Sequence, residues 1–449
     1  MAPSRSTPSW LVRLGLHRPE LRAWVMYDWA ISAVYAVIMS AVFPIYFVKV
    51  AGANLPEGRA TQWWSTANAV GFVLLAVLSP LLGALADAAA LKKRLMALFM
   101  AIGASATAAM FLIQRGDAWL ASVLFVLALG GANGSMTFYL SLLPHLARND
   151  EVDRVSTAGY AFGNIGAVLL LALNLAWIQW PDWFGLRTGD STRPVRLAFV
   201  SVAVWWAFFS LPTLLRVPEP PRTLDAGGPR RESVRAAFTR LVGTLRELRG
   251  HRNAFRMLLA FMVYNEGILT IAKMATAHGT EIGIDQGDLI AAVLLVYLVG
   301  VPFTLLFGRL AQRIGAKRSL FMGLLGYTGI SGLGFFMKTA AHFYVLAILV
   351  GMVVGGMQAL SRSLFASMIP RHRSAEFFGF YGVCEKVAGI TGPLFFALTI
   401  GMTGSSRWAI LCLSAFFVVG AALLAFVDVE AGRRAARTSE ERPQPSTRE

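Results

Sequence analysis

Six ionisable residues stand inside long apolar stretches of this chain: the acids Asp28, Glu266 and Glu385, and the bases Lys273, Arg362 and Lys386. Charge in such surroundings costs roughly 2.5 to 3.5 kcal/mol per residue on insertion scales and marks paths for ions or protons. Acids and bases balance, so the set can neutralise itself around a shared interior. A carboxylate in surroundings of low polarity takes up and gives up a proton near neutrality, which points to Glu266 first and Glu385 second. Arg362 is always charged: it can hold the carboxylate or phosphate of a ligand, or close one end of the molecule against Glu376 or Asp28. Helical spacing puts Asp28, Ser32 and Tyr35 on one face, either lining a cavity or, for Asp28, pairing across a seam or capping a helix. Glu266, Thr270 and Lys273 form a second stripe, but about 10 Å of helix rise separates Glu266 from Lys273, so each needs another partner. Lys386 points about 100° away from Glu385 around the helix. Tyr264, Asn265 and Gln358 supply uncharged hydrogen-bonding groups, for a ligand or for bridging helices.

The elements that position these residues follow from composition. Of 449 residues 56% are hydrophobic and 15% charged, and the mean hydropathy is +0.58, more apolar matter than one soluble core hides. Runs of about twenty apolar residues cross a bilayer as helices. The spacing predicts twelve, beginning near Trp24, Trp63, Leu95, Ala118, Val155, Arg196, Ala254, Leu289, Leu320, Phe343, Phe377 and Trp408. Their length and lack of strict alternation exclude a barrel. The net charge of +16 lies in alternate loops rather than on one face, which argues against nucleic acid and for a multi-pass protein with both termini in the cytoplasm. The membrane is the plasma (inner) membrane if the chain is bacterial and the vacuolar membrane if eukaryotic. No removable signal peptide is evident, and Cys384 and Cys412 lie in apolar runs without a disulfide pattern.

The chain also repeats itself at an offset of 225 residues. Gly83 and Asp87 precede Lys92, Lys93 and Arg94; at that offset Gly308, Gln312 and Arg313 precede Lys317 and Arg318. Gly130 and Gly131 answer to Gly355 and Gly356, and Glu151 to Glu376. The expected organisation is a cytoplasmic tail over 1–23, a six-helix bundle over 24–216, a linker over 217–253, a second bundle over 254–428 and a disordered tail over 429–449. In the linker Val234, Phe238, Leu241, Leu245 and Leu248 recur at helical spacing among arginines, as in an amphipathic helix on an anionic leaflet or a solvated charged helix. Glycines at three- and four-residue spacing, such as Gly159, Gly163 and Gly166, let membrane helices approach closely.

The basic turn Gly83-Ala-Leu-Ala-Asp87 with Lys92, Lys93 and Arg94 resembles the signature loop of the major facilitator superfamily. Tyr27-Asp28-Trp29-Ala30-Ile31-Ser32, Tyr264-Asn265-Glu266-Gly267 and Gly355-Gly356-Met357-Gln358-Ala359-Leu360-Ser361-Arg362-Ser363 are similar to patterns of its vacuole-effluxer family, the autophagy-associated amino-acid exporters of fungal vacuoles and their bacterial relatives. Ile31 stands where that family has asparagine and Glu266 where it has aspartate. The resemblance implies an all-α membrane protein of twelve transmembrane helices in two pseudo-symmetric bundles, working as a secondary transporter by alternating access. It implies a small polar solute, an amino acid in the leading case, moved outward, and the carboxylates Glu266 and Glu385 make a proton the expected coupling ion. The basic turns, at Gly83 to Arg94 and Gly308 to Arg318, would gate rather than touch solute. Expected partners are the solute and the lipid bilayer, with the chain a monomer. No phosphate loop, catalytic triad or histidine pair appears, so neither ATP hydrolysis, an enzyme, a cofactor nor a metal is expected. The rival function is a membrane nutrient sensor or scaffold that keeps the carrier fold without transporting.

Overall fold

The computed structural model describes residues 9–55, 91–148, 150–186, 190–220, 250–281, 286–403 and 406–441, with isolated positions at 63, 64, 66, 67, 70, 71, 74, 243, 248 and 284. For part of the seventh and eleventh spans, Lys273 and Lys386 included, the backbone alone is described. Gly83, Asp87 and most of the second span and linker lie outside the described residues.

Every described element of regular structure is helical. The first span runs from Pro19 to Ala51, continuing from Pro19–Val34 through two π-turns, and Pro19 suits a first turn that needs no N–H. The third to sixth spans are Lys92–Ala109, Ala118–Leu146, Val152–Gln179 and Arg193–Arg216. The seventh to eleventh are Arg252–Glu281, Gln286–Ile314, Ala316–Phe335, Ala340–Ala366 and Ser374–Thr403. The twelfth is Ser406–Cys412 with Ser414–Ala425. Each starts within a few residues of its sequence-derived position, because a long apolar run that must satisfy its own backbone in lipid has little other choice. Gly315, at φ 89°, makes the turn between the eighth and ninth spans that a side chain would strain.

Two bundles result. In the first, the first span packs on the fifth and sixth, and the third on the fourth and sixth; in the second, the seventh packs on the eleventh and twelfth, and the tenth on the eighth and ninth. Between the bundles, the fifth span meets the eighth and tenth, and the fourth meets the eleventh. Small residues make these approaches. A methyl group on Gly131 would stand 2.6 Å from Gly103 N and from Phe99 O, whereas one on Gly130 would meet nothing within 4 Å.

Both tails hold helix, and the C-terminal one differs from the sequence expectation. The N-terminal segment holds a short helix, Ser9–Arg13, with Leu11 and Leu16 buried, and Arg18 bonds to the Leu146 carbonyl at 2.6 Å and to Glu151. The stretch read as a disordered tail from 429 is instead helical over Val429–Glu441. Gly432 and Ala436, one turn apart, are its buried face, Gly432 lies against Met368 and Asn253, and Glu440 accepts the Arg371 N–H at 2.9 Å. Alanine, arginine and glutamate are strong helix formers, and a two-residue apolar face is enough when a prepared surface receives it.

The glycine pair gives a matched test. Gly131→Ala forces backbone against backbone and is expected to cost about 1–3 kcal/mol, read as a lowered unfolding midpoint in detergent. Gly130→Ala should leave the midpoint unchanged or raise it.

Candidate functional site

At the end of the molecule that carries the N-terminal helix, a buried ion pair joins the two bundles. Asp28 of the first span and Arg362 of the tenth are 2% and 4% exposed, and Arg362 donates from Nη2 to Asp28 Oδ2 at 3.0 Å and from Nη1 to Oδ1 at 3.3 Å. The remaining hydrogen-bonding capacity is filled by the first bundle. Arg362 donates from Nε to Ser156 Oγ and from Nη2 to the Ser156 carbonyl, both at 2.7 Å. Tyr139 of the fourth span donates to Asp28 Oδ2 at 2.8 Å and stacks on Trp24 at 4.4 Å between centroids, and the Arg362 guanidinium lies 5.4 Å from the Trp24 ring. Gly159 leaves the room: its missing side chain would collide with the Asp28 carboxylate and Arg362. Of the openings the sequence left to Asp28 and Arg362, the structure shows the pairing across the seam. Glu376 binds Arg373 instead, at 2.6 Å.

Further bonds cross the seam at the same end. Ser156 Oγ donates to the Ala359 carbonyl at 2.8 Å, and Ser363 Oγ to Asp153 Oδ1 at 2.5 Å. Lys92, from the first basic turn, is buried and donates from Nζ to Ser374 Oγ at 2.8 Å, at the start of the eleventh span, and stands 2.9 Å from His145 Nε2. Lys93 uses its backbone: its N–H donates to the Glu219 carboxylate at 3.1 Å, an acid at a helix N-terminus. Burial pushes the Glu219 carboxyl above its ordinary range, and the hydrogen bond from Lys93 opposes this. Arg94, Arg313 and Arg318 are exposed. Lys317 closes the C-terminus of the twelfth span through the Ala425 and Val427 carbonyls, at 2.9 and 2.7 Å. Gly308 lies against Thr157 of the other bundle.

One to two turns deeper, a polar layer follows. Ser32 touches Gly163, and Tyr35 donates to Asn133 Oδ1 at 3.3 Å. The hydroxyls of Tyr264 and Ser361 meet at 2.5 Å, and Gln358 Nε2 donates to Asn265 Oδ1 at 2.7 Å, joining the seventh and tenth spans. Asn265 Nδ2 and Thr270 Oγ1 are buried with no partner among the described residues. Glu266 is 3% exposed, and Glu385 is half-buried. Hydrogen-bonding groups from both bundles, and acids from the second, thus share this layer. Beyond it opens a cavity of about 290 Å³ lined by Ser40, Tyr160 and Asn164 of the first bundle and mainly by apolar residues of the second.

The sequence reading did not single out Tyr139, Ser156 or Trp24. Tyrosine, serine and tryptophan in apolar runs carry no signal until their neighbours are known. The one hint was the Gly159–Gly163–Gly166 stripe, which marks the close approach of the first and fifth spans. No cluster of metal-ligating side chains occurs among the described residues.

Residues 63–437 match the family model described as vacuole effluxer Atg22 like. The chain belongs to that family. It is 34% identical over 416 residues to the MFS-type transporter YxiO of Bacillus subtilis (strain 168), covering 91% of this chain and 94% of that one. Autophagy-related protein 22 of Yarrowia lipolytica is 27% identical over 317 residues, and the chain spans about half the length of such fungal relatives. Among solved structures, the proton:xylose symporter XylE superposes with a TM-score of 0.67 at 14% identity, covering 94% of this chain and 97% of that one. The human organic anion transporter MFSD10 superposes with a TM-score of 0.69 at 14% identity, covering 91% and 99%. The fold is that of the major facilitator superfamily, and the protein is a multi-pass membrane transporter of that class.

Removing one partner of the buried pair leaves the other charge stranded, which costs about 3–5 kcal/mol. Asp28→Asn and Arg362→Gln are each expected to lower the unfolding midpoint markedly, and the double variant to recover part of the loss. Purely additive losses in this cycle would show that the two side chains are not coupled.

Proposed function

We propose that the chain moves a small polar solute by alternating access, and that the Asp28–Arg362 pair is the lock that closes its cytoplasmic end. The observation that carries the reading is the position of that pair: one charge from each bundle, buried, hydrogen-bonded on every side and placed where the bundles must part for the interior to open. The basic loops at this end favour its assignment to the cytoplasm. Lys92 supports the same reading, since it reaches from the first bundle to Ser374 of the second.

The solute we infer carries both an ammonium and a carboxylate, as an amino acid does. A layer that offers amides and hydroxyls from both bundles and acids from the second suits such a zwitterion, and the family's fungal members, named for autophagy, are consistent with amino-acid export. Glu266 and Glu385 are the groups for proton coupling: both are acids in the polar layer, and neither takes part in the lock. A proton bound there from one side and released to the other would tie the solute's movement to a pH gradient.

In proteoliposomes loaded and assayed with radiolabelled L-amino acids, Glu266→Gln and Glu385→Gln are expected to abolish uptake driven by a pH gradient while leaving counter-exchange of the same amino acids. Gradient-driven uptake that survives in both variants would refute the coupling assignment. No amino acid crossing under any gradient, with the fold intact, would refute the solute class.

A further inference from the structure

Two hydroxyls of the ninth span point to something the transporter reading does not use. Tyr327 Oη and Ser331 Oγ are fully buried, have no hydrogen-bond partner among the described residues, and belong to side chains that line the cavity of about 290 Å³. They lie four residues apart, on one helical face. Apart from Tyr297 of the eighth span, the wall around them is apolar, with Ile268 of the seventh span, Val350 of the tenth and Leu413 of the twelfth. The polar groups of the first bundle, Ser40, Tyr160 and Asn164, line the same cavity from the opposite bundle.

A hydroxyl taken out of water with nothing to bond loses its hydration without return. The second bundle bears that loss twice, side by side, in the wall of a space large enough for a small molecule. Apolar packing would have been satisfied by phenylalanine and alanine at these positions. The loss ends when whatever occupies the cavity brings a donor or acceptor to that wall.

We propose that Tyr327 and Ser331 determine specificity by bonding a hydrogen-bonding group at the far end of a solute whose apolar body fills this cavity. The inference deepens the transporter reading and rests on it in one respect, that this cavity is where the solute sits. Its class is narrower than a polar solute in general: an apolar core with a distal donor or acceptor, as against a molecule ringed with hydroxyls, most of which the mainly apolar wall would leave unpaired. A wall built to bond a hydroxyl also rejects the analogue that lacks it far better than an apolar wall distinguishes a methylene.

The experiment uses the full-length protein in detergent, with the unfolding midpoint titrated by two probe pairs that differ only in a distal hydroxyl: benzamide against 4-hydroxybenzamide, and phenylacetate against 4-hydroxyphenylacetate. The wild type is expected to bind the hydroxylated member of a pair about tenfold more tightly. Tyr327→Phe and Ser331→Ala should each bring that ratio towards one while leaving the affinity for the unhydroxylated member unchanged. Equal affinity for both members in the wild type, a ratio that persists in both variants, or no stabilisation by any probe would overturn the inference. The probes carry no amino group, so discrimination between them together with failure of amino-acid uptake would discard the amino-acid reading and keep this one.

Discussion

The structure turns on a charge pair that two separately folded bundles hold in common. Bringing Asp28 and Arg362 out of water costs several kcal/mol for each ion, and their attraction returns that sum only when the geometry is good and the remaining lone pairs and N–H groups are bonded. Both conditions are met, by Tyr139 on one oxygen and by Ser156 on two guanidinium nitrogens. The net gain from such a pair is small. That suits the lock we propose, because an end sealed by a large apolar interface would stay shut, whereas terms that nearly cancel let modest binding energy tip the balance.

The rest of the arrangement follows from this constraint. The guanidinium and carboxylate need a slot between helices, and Gly159 and Gly163 give the fifth span the flat face against which the first span lies. Trp24 and Tyr139 stack to form an apolar floor that keeps water from the pair. Around the pair, Ser363 to Asp153 and Lys92 to Ser374 add weaker cross-bundle bonds, so the seam closes over an area rather than at a point. The polar layer comes next and the apolar cavity after it, so in the proposed reading the part of a solute that reaches the polar layer would sit over the lock. Its charges and the lock's charges are then neighbours, and occupancy above can alter the cost of separating the pair below.

Much of this was legible in the sequence, and the limits have physical causes. Apolar runs of membrane length allow one backbone solution, so span positions and the two-bundle division could be read from residue type and spacing, while the family came from the resemblance of short motifs such as Gly355 to Ser363. Asp28 and Arg362 announced themselves because charge in an apolar run is expensive. Their pairing stood only as one of several alternatives, since it joins residues 334 positions apart and depends on how the bundles dock. Tyr139 and Ser156 were invisible for the same reason: each is ordinary in its own helix. The helix Val429–Glu441 was missed because its composition is polar, and only the surface around Met368 and Asn253 makes its narrow face stick.

The most direct measurement of the lock is the distance between the bundles at the end it closes. Spin labels at exposed Arg94 of the first bundle and exposed Arg318 of the second would report it by pulsed electron–electron resonance in lipid nanodiscs. With the pair intact the distribution should be dominated by a short, narrow component, and Asp28→Asn should shift it to a longer and broader one. An unchanged distribution in Asp28→Asn, in a protein that remains folded, would contradict the claim that this ion pair holds the two bundles together.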